Sequence, residues 1–376
     1  MKNTLLCTTA LALTGLAGAA NAAEVSAGAV NMGFSGYYTT NIAIASVDTG
    51  TSGALTDFDG LDVHTNAEIW FKPSITLDNG IKIGVDIQLE AGSNTNGDQI
   101  DEAYMTVSGD FGKFIIGSEN SAGYKMTVAA PDHSLIFAQS SSLTAFVPYS
   151  SAVSGADLFR GTLGSTYIEN ARNNDAARIS YFSPRFAGLQ LGASYARDAG
   201  QTNGPVNNNT TLTDIVDIAA NYGGSFGGMD VDASARWGTA SAPAGGVDPE
   251  VWGFGLNLGF GGFTIGGSFA EQDGTAAQDG HSFDVGIGYS DGPMSYSLTF
   301  FSGENIDNEN VALGGAAKEE LETIVLAVKY TVNSNFKVGA FIANTDFTET
   351  FDNAGTALGA ENVEGTVLGV GASFSF

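Results

Sequence analysis

Few side chains in this sequence belong to the types that make or break covalent bonds. The one cysteine is Cys7, and the three histidines, His64, His133 and His281, each fall in a segment that reads as a loop. Asp132-His133-Ser134 sets the residue types of a hydrolytic triad side by side, but a triad is a spatial arrangement that consecutive residues do not normally reproduce. There is no HExxH, no paired histidine ligand set and no phosphate-cradling glycine loop. The expectation is therefore that the chain is not an enzyme. Carboxylate is what it has in quantity, with 41 acidic against 14 basic residues and a formal net charge of −27. The chemistry on offer is electrostatic: attracting cations, excluding polyanions, orienting dipoles. Nucleic acid is excluded as a partner. Only 15% of residues are charged, 43% are hydrophobic and 51 are glycine, so the composition is that of a folded chain with many turns.

Those charges need elements to hold them. Residues 1–22 have the layout of a secretory signal, with Lys2, an apolar stretch from Leu5 to Ala17 and the cleavage site Ala20-Asn21-Ala22, so the barrel domain is expected over 23–376 without disulfides. After it no apolar run reaches about 18 residues, which excludes membrane-spanning helices. Period-2 alternation is widespread. In 322–331, Ile324, Leu326, Val328 and Tyr330 oppose Val325, Ala327 and Lys329; in the last ten residues, Leu368, Val370, Ala372, Phe374 and Phe376 oppose glycine and serine. One oily face and one small or polar face, repeated, is the pattern of a sheet between lipid and water, and in lipid such a sheet must close.

Sixteen such segments can be marked: 25–38, 66–77, 81–91, 100–109, 112–118, 177–183, 188–197, 213–223, 229–238, 251–260, 262–271, 282–290, 293–302, 322–331, 335–344 and 364–376. Tight Gly, Asn and Asp turns follow the even-numbered segments and longer polar loops the odd-numbered ones, the largest being 39–65, 119–176, 198–212, 303–321 and 345–363. Short turns on one rim and long loops on the other are the asymmetry of an outer-membrane barrel. Two aromatic girdles support it. Tyr222, Phe260, Phe263, Tyr289, Tyr296, Tyr330, Phe336 and Phe376 lie beside the turns; Tyr38, Tyr195, Trp237, Trp252, Phe269 and Phe300 lie beside the loops. The expected fold is all-β: a 16-stranded antiparallel transmembrane β-barrel, multi-pass in the outer membrane, with residues 25–38 closing against 364–376.

About sixteen strands enclose a space too wide for side chains to fill. Many inward positions are Gly, Ser, Ala or Thr, so water or a folded-in loop must occupy the interior. The third loop, 119–176, far exceeds usual connection lengths. Its apolar residues Leu135-Ile136-Phe137, Leu143, Ala145-Phe146-Val147 and Leu158-Phe159 need a wall to pack on, which predicts that it folds inward and narrows the pore, the alternative being a surface loop that packs on its neighbours or at a subunit interface. By parity the inward bases are Lys72, Lys82, Arg178, Arg236, Lys329 and Lys337, outnumbered by Glu68, Asp86, Glu90, Glu102, Asp217, Asp232 and Asp284. A cation preference follows. Outer acids Asp48, Asp57, Asp59, Asp279, Glu304, Asp307 and Glu309 offer hard oxygen ligands for Ca²⁺ or for divalent bridges to lipopolysaccharide, though none completes an EF-hand; no other cofactor is expected.

Several segments in order resemble the general porins of Gram-negative bacteria, most of all an alphaproteobacterial, Rhodobacter-like branch. They are Phe71-Lys72-Pro73-Ser74 leading to Asp78-Asn79-Gly80, Ile81 to Gly92, Gly109 to Gly117, Arg178 to Leu189 and the terminal Phe376. The resemblance implies a homotrimeric channel whose third loop forms an eyelet, with loop acids opposite wall bases. Carried onto this chain, the acids are Glu119, Asp132, Asp157, Glu169 and Asp175, and the bases are the six inward ones named above. It also implies Phe376 as the handle for the barrel-assembly machinery. The implied function is passive diffusion of small hydrophilic solutes and ions. A substrate-specific channel and a barrel-anchored surface adhesin remain as alternatives, although no continuous aromatic slide or arginine ladder is visible.

Overall fold

A computed structural model describes residues 28–49, 57–92, 99–139, 145–148, 160–169, 174–200, 204–274, 279–306, 318–349 and 361–376. Sixteen strands close into one antiparallel barrel: β1 (Asn31–Asp48), β2 (Gly60–Thr76), β3 (Lys82–Glu90), β4 (Ile100–Gly109), β5 (Gly112–Ser118), β6 (Ala177–Phe182), β7 (Leu189–Ala196), β8 (Thr213–Phe226), β9 (Met229–Ser241), β10 (Glu250–Phe260), β11 (Phe263–Asp273), β12 (Gly280–Asp291), β13 (Met294–Ile306), β14 (Lys318–Thr331), β15 (Phe336–Glu349) and β16 (Glu361–Ser375). Among the described residues between β5 and β6 lies a helical turn, α1 (Ala122–Met126).

Each strand pairs with its neighbours in sequence, and β1 closes on β16 in a register from Tyr37 opposite Ser375 to Asp48 opposite Glu364. The expected closing segment, 25–38, is thus displaced toward the C-terminus; its first residues, through 27, lie outside the described residues. Thr39-Thr40-Asn41 reads as polar loop, yet Ile42 and Ile44 continue the exposed face while Asn41, Ala43 and Ala45 are buried on the other. Tyr38 consequently sits opposite Phe374, beside the short turns rather than the long loops. His64 and His281 lie within β2 and β12 rather than in loops.

β13, β14 and β15 also run further toward the long-loop rim than expected. Their ladders continue while their outward side chains turn acidic, as at Glu320, Glu322 and Asp346, so hydrophobicity fades before hydrogen bonding does. At the other rim the turns are tight. Gly80 and Gly292 take φ of 84° and 53°, the left-handed region that a side chain would strain.

Ring contacts tie the exposed face together at both rims. Near the turns, Phe376 lies 5.7 Å from Phe34 and 6.2 Å from Phe374, and Phe263 lies 4.5 Å from Tyr289. Toward the loops, Trp252 contacts Phe269 at 5.0 Å. Tyr222, Trp237 and Tyr330 are on the same outward face.

The apolar cluster usual for a domain core lies inside the barrel. Ile136, Phe146, Val147 and Leu163 of the β5–β6 connection pack with Phe301, Leu321, Val325, Phe341, Phe347 and Val367 of the wall. Glycines make room for the connection's backbone. A Cβ at Gly255 would collide with the Val128 carbonyl, and one at Gly303 with the carbonyls of Thr162 and Leu163.

Candidate functional site

The described parts of the β5–β6 connection are fastened to the wall largely by side chain-to-backbone hydrogen bonds. Ser194 Oγ accepts from Ala122 N (2.6 Å), Ser234 Oγ from Val128 N (2.9 Å) and Ser297 Oγ from His133 N (2.8 Å). Asn257 donates to the Ala129 carbonyl (2.9 Å), Thr299 to that of Pro131 (2.7 Å) and Ser282 to that of Ser165 (2.8 Å). A non-repetitive backbone leaves its polar groups unmatched, and the small hydroxylated wall residues supply the partners.

Charges also serve this seating. Arg236 is buried, donates to Asp217 and to the Ile168 carbonyl, and packs against Gly123 of α1, where a Cβ would strike its guanidinium. Asp284 accepts from Ala130 N (3.1 Å), from Ser268 and from Gln139. Glu119 accepts from Lys125 Nζ at 2.7 Å, within the connection itself, and buried Glu169 accepts from Ser121 N at 2.8 Å. Asp175 is buried with φ of 55°, its carboxylate accepting from Asn174 (2.8 Å). Burial, reinforced by Glu169 and Glu119 against the opposing pull of Arg160, holds the Asp175 carboxyl above the usual carboxylate range. Arg178 is buried on β6. Asp157 lies outside the described residues.

The remaining wall bases are spread over the lumen. Lys72 pairs with Asp86 at 3.1 Å and lies 4.1 Å over the Trp70 ring, whereas Lys82 is exposed at the turn rim. Lys329 Nζ approaches His133 Nδ1 at 3.4 Å, with half-buried Lys337 one strand over. Asp132 accepts from Ser134 N (2.8 Å) and Ala138 N (2.7 Å) and so shapes a turn. Among loop acids and wall bases, Asp132 and Lys329 thus come together around His133, while Glu169 gathers with the Asp217–Arg236 pair through α1 and its flanks.

A cavity of about 450 Å³ opens beside this turn, lined by Asp132, Tyr124, Phe137, Gln139, Arg160 and Tyr167 among others, with Thr299 from the wall. Arg160 is the basic residue there: it donates to Asn120 and stacks 4.7 Å over Tyr124. Burial, then the charge of Asp284, pushes the Tyr167 phenol up to about 12, so it stays neutral.

Opposite the seated arc, Glu68, Glu90 and Asp101 each bring a carboxylate oxygen within 4.8 Å of the others, a hard-oxygen set of the type divalent cations take. Both Glu68 oxygens accept a hydrogen bond, from Tyr37 (2.7 Å) and Trp70 (2.6 Å). The outer acids do other work. Asp59 caps Val47 N (2.7 Å), Asp57 accepts from Asp59 N (3.0 Å) and Glu304 pairs with Lys318 (2.7 Å); Asp307 and Glu309 lie outside the described residues.

A family model described as Gram-negative porin matches residues 8–350. The chain belongs to that family. As a porin with a closed 16-strand barrel it is a multi-pass outer-membrane channel for passive diffusion. The fold resembles an anion-selective porin from Comamonas acidovorans (17% identity, TM-score 0.59, 93% of this chain and 100% of that one). It also resembles OmpT of Vibrio cholerae in a trimer form (15%, 0.59, 93% and 100%) and Salmonella typhi OmpF in complex with daunomycin (14%, 0.55, 92% and 97%). No curated protein matches the sequence. In this porin the lumen residues that parity missed are Arg160, Tyr124 and Tyr167. They lie in the aperiodic connection, where the only signal was an isolated arginine in a strongly acidic chain.

Proposed function

We propose that this porin is a cation-preferring general diffusion channel, narrowed by its β5–β6 connection and assembled as a trimer. The observation that carries the preference is the unequal use of charge on the wall. Asp217 and Asp284 are consumed in seating the connection, whereas Glu68, Glu90 and Asp101 crowd together on β2–β4, and Lys72 on the same arc is already paired with Asp86. Carboxylates concentrated in a low-dielectric lumen raise local cation concentration. Seating of the connection by residues from β7 to β13 supports the narrowing, and the trimer form of the Vibrio cholerae OmpT structure supports the assembly state. Reversal potentials in a salt gradient across a planar bilayer test the preference: a shift toward the cation potential is expected, and clear anion selectivity overturns it.

Outside the barrel, Asp48, Glu364, Asp346 and Glu322 lie opposite one another across β1, β16, β15 and β14 on the outward face. Like charges in such register repel. Their relief by divalent cations shared with lipopolysaccharide is the partner chemistry this rim supports.

A further inference from the structure

We propose that the lumen cavity is a retention subsite for planar aromatic solutes that carry a carboxylate. The proposal rests on the channel reading above and names a solute class for it. Three rings border the cavity: Tyr124, Tyr167 at 5.6 Å from it, and Phe137. Phe137 is 49% exposed although its neighbours Ile136 and Ala138 are buried in the apolar cluster. Its φ of 52° is a conformation that a bulky side chain adopts only when its surroundings impose it.

The imposing contacts are visible. Asp132 accepts from Ser134 N and Ala138 N, and Ser134 Oγ accepts from Phe137 N at 2.8 Å. This turn holds an apolar ring toward the water of the lumen when the apolar cluster is one residue away. Arg160 adds the second determinant, a flat cation that is stacked on Tyr124 and borders the same space. A flat ring that lies against Phe137 with its carboxylate toward Arg160 meets both groups. A saturated ring with the same carboxylate meets only Arg160. The volume, about 450 Å³, is ample for a one-ring solute.

The test uses the full chain, folded and reconstituted in a planar bilayer, with 4-hydroxybenzoate and 4-hydroxycyclohexanecarboxylate as probes of matched charge and hydroxylation. The aromatic probe is expected to interrupt the open current at roughly 2–10-fold lower concentration than the saturated one. Phe137→Leu should equalise the two probes, and Arg160→Gln should weaken both. Equal block by the two probes in the unaltered channel overturns the subsite, as does a preference that survives Phe137→Leu. The probe comparison in the unaltered channel decides the matter even if a variant does not fold. A barrel that conducts without any preference loses the subsite alone; one that carries no current loses the channel reading with it.

Discussion

The inner wall has two arcs that use the same residue types differently. From β7 to β13, acids, bases and hydroxyls are matched to the described parts of the connection that lie against them, and Asp217 and Asp284 are structural anchors. On β2–β4, Glu68, Glu90 and Asp101 gather within 4.8 Å of one another, with no backbone of the connection hydrogen-bonded to them among the contacts described above. An inward acid is therefore not one kind of feature. Where a backbone without secondary structure lies against the wall, the acid supplies missing hydrogen bonds; where water does, it sets the field.

Stability should separate the arcs most sharply. Arg236→Met leaves Asp217 buried without its cation and should cost about 3–5 kcal/mol, read as a lower denaturant midpoint of the folded barrel. Lys72→Met removes a partner from a half-exposed pair and should cost less than about 1 kcal/mol in the same assay. Equal losses would erase the distinction. Gly255→Val drives a side chain into the Val128 carbonyl, and such overpacking costs about 1–3 kcal/mol. Its second readout is conductance, expected to rise as the connection is pushed from its seat; an unchanged single-channel current would count against that seat.

Subtler changes sharpen the open arc. Glu68→Gln with Glu90→Gln should lower the cation-to-anion permeability ratio by roughly two-fold while leaving the unfolding midpoint nearly in place. The smallest effect concerns pH. Burial, then the charge of Lys329, lowers His133 below its ordinary value, with Asp132 opposing. The unfolded chain then takes up the proton first, so this stability is present at neutral pH and is lost as pH falls from about 6.5 toward the lowered value. Lys329 Nζ reaches the imidazole at 3.4 Å, and Asp132 lies one residue before it. Thermal melts across the window should slope downward on acidification, and His133→Gln should flatten the slope.

Much of the barrel was legible because alternation is local. Strands such as β10 and β14 bury one face and expose the other, and every side chain reports the pattern. The end of β1 was not, because Thr39-Thr40-Asn41 carries too little hydrophobic contrast to mark faces that its partner β16 makes plain. Within the connection, Ile136, Phe146 and Val147 announce a need for apolar contact, and they are buried against the wall. Charge was far less legible. Parity puts Arg236 and Lys72 on the same inner surface, but only three-dimensional proximity shows that one lies under a backbone and the other beside open lumen. Arg160 sits in a segment with no period at all, so nothing in the spacing could assign it a neighbour.

The seat of the connection also imposes an order of events. Leu135 accepts from Asn41, 94 positions earlier, and Pro131 from Thr299, 168 positions later. No such seat exists until strands made long before and long after the connection stand side by side. Contacts of such sequence separation form slowly. The connection is therefore expected to take its seat late, once the strands that hold Asn41 and Thr299 already stand side by side.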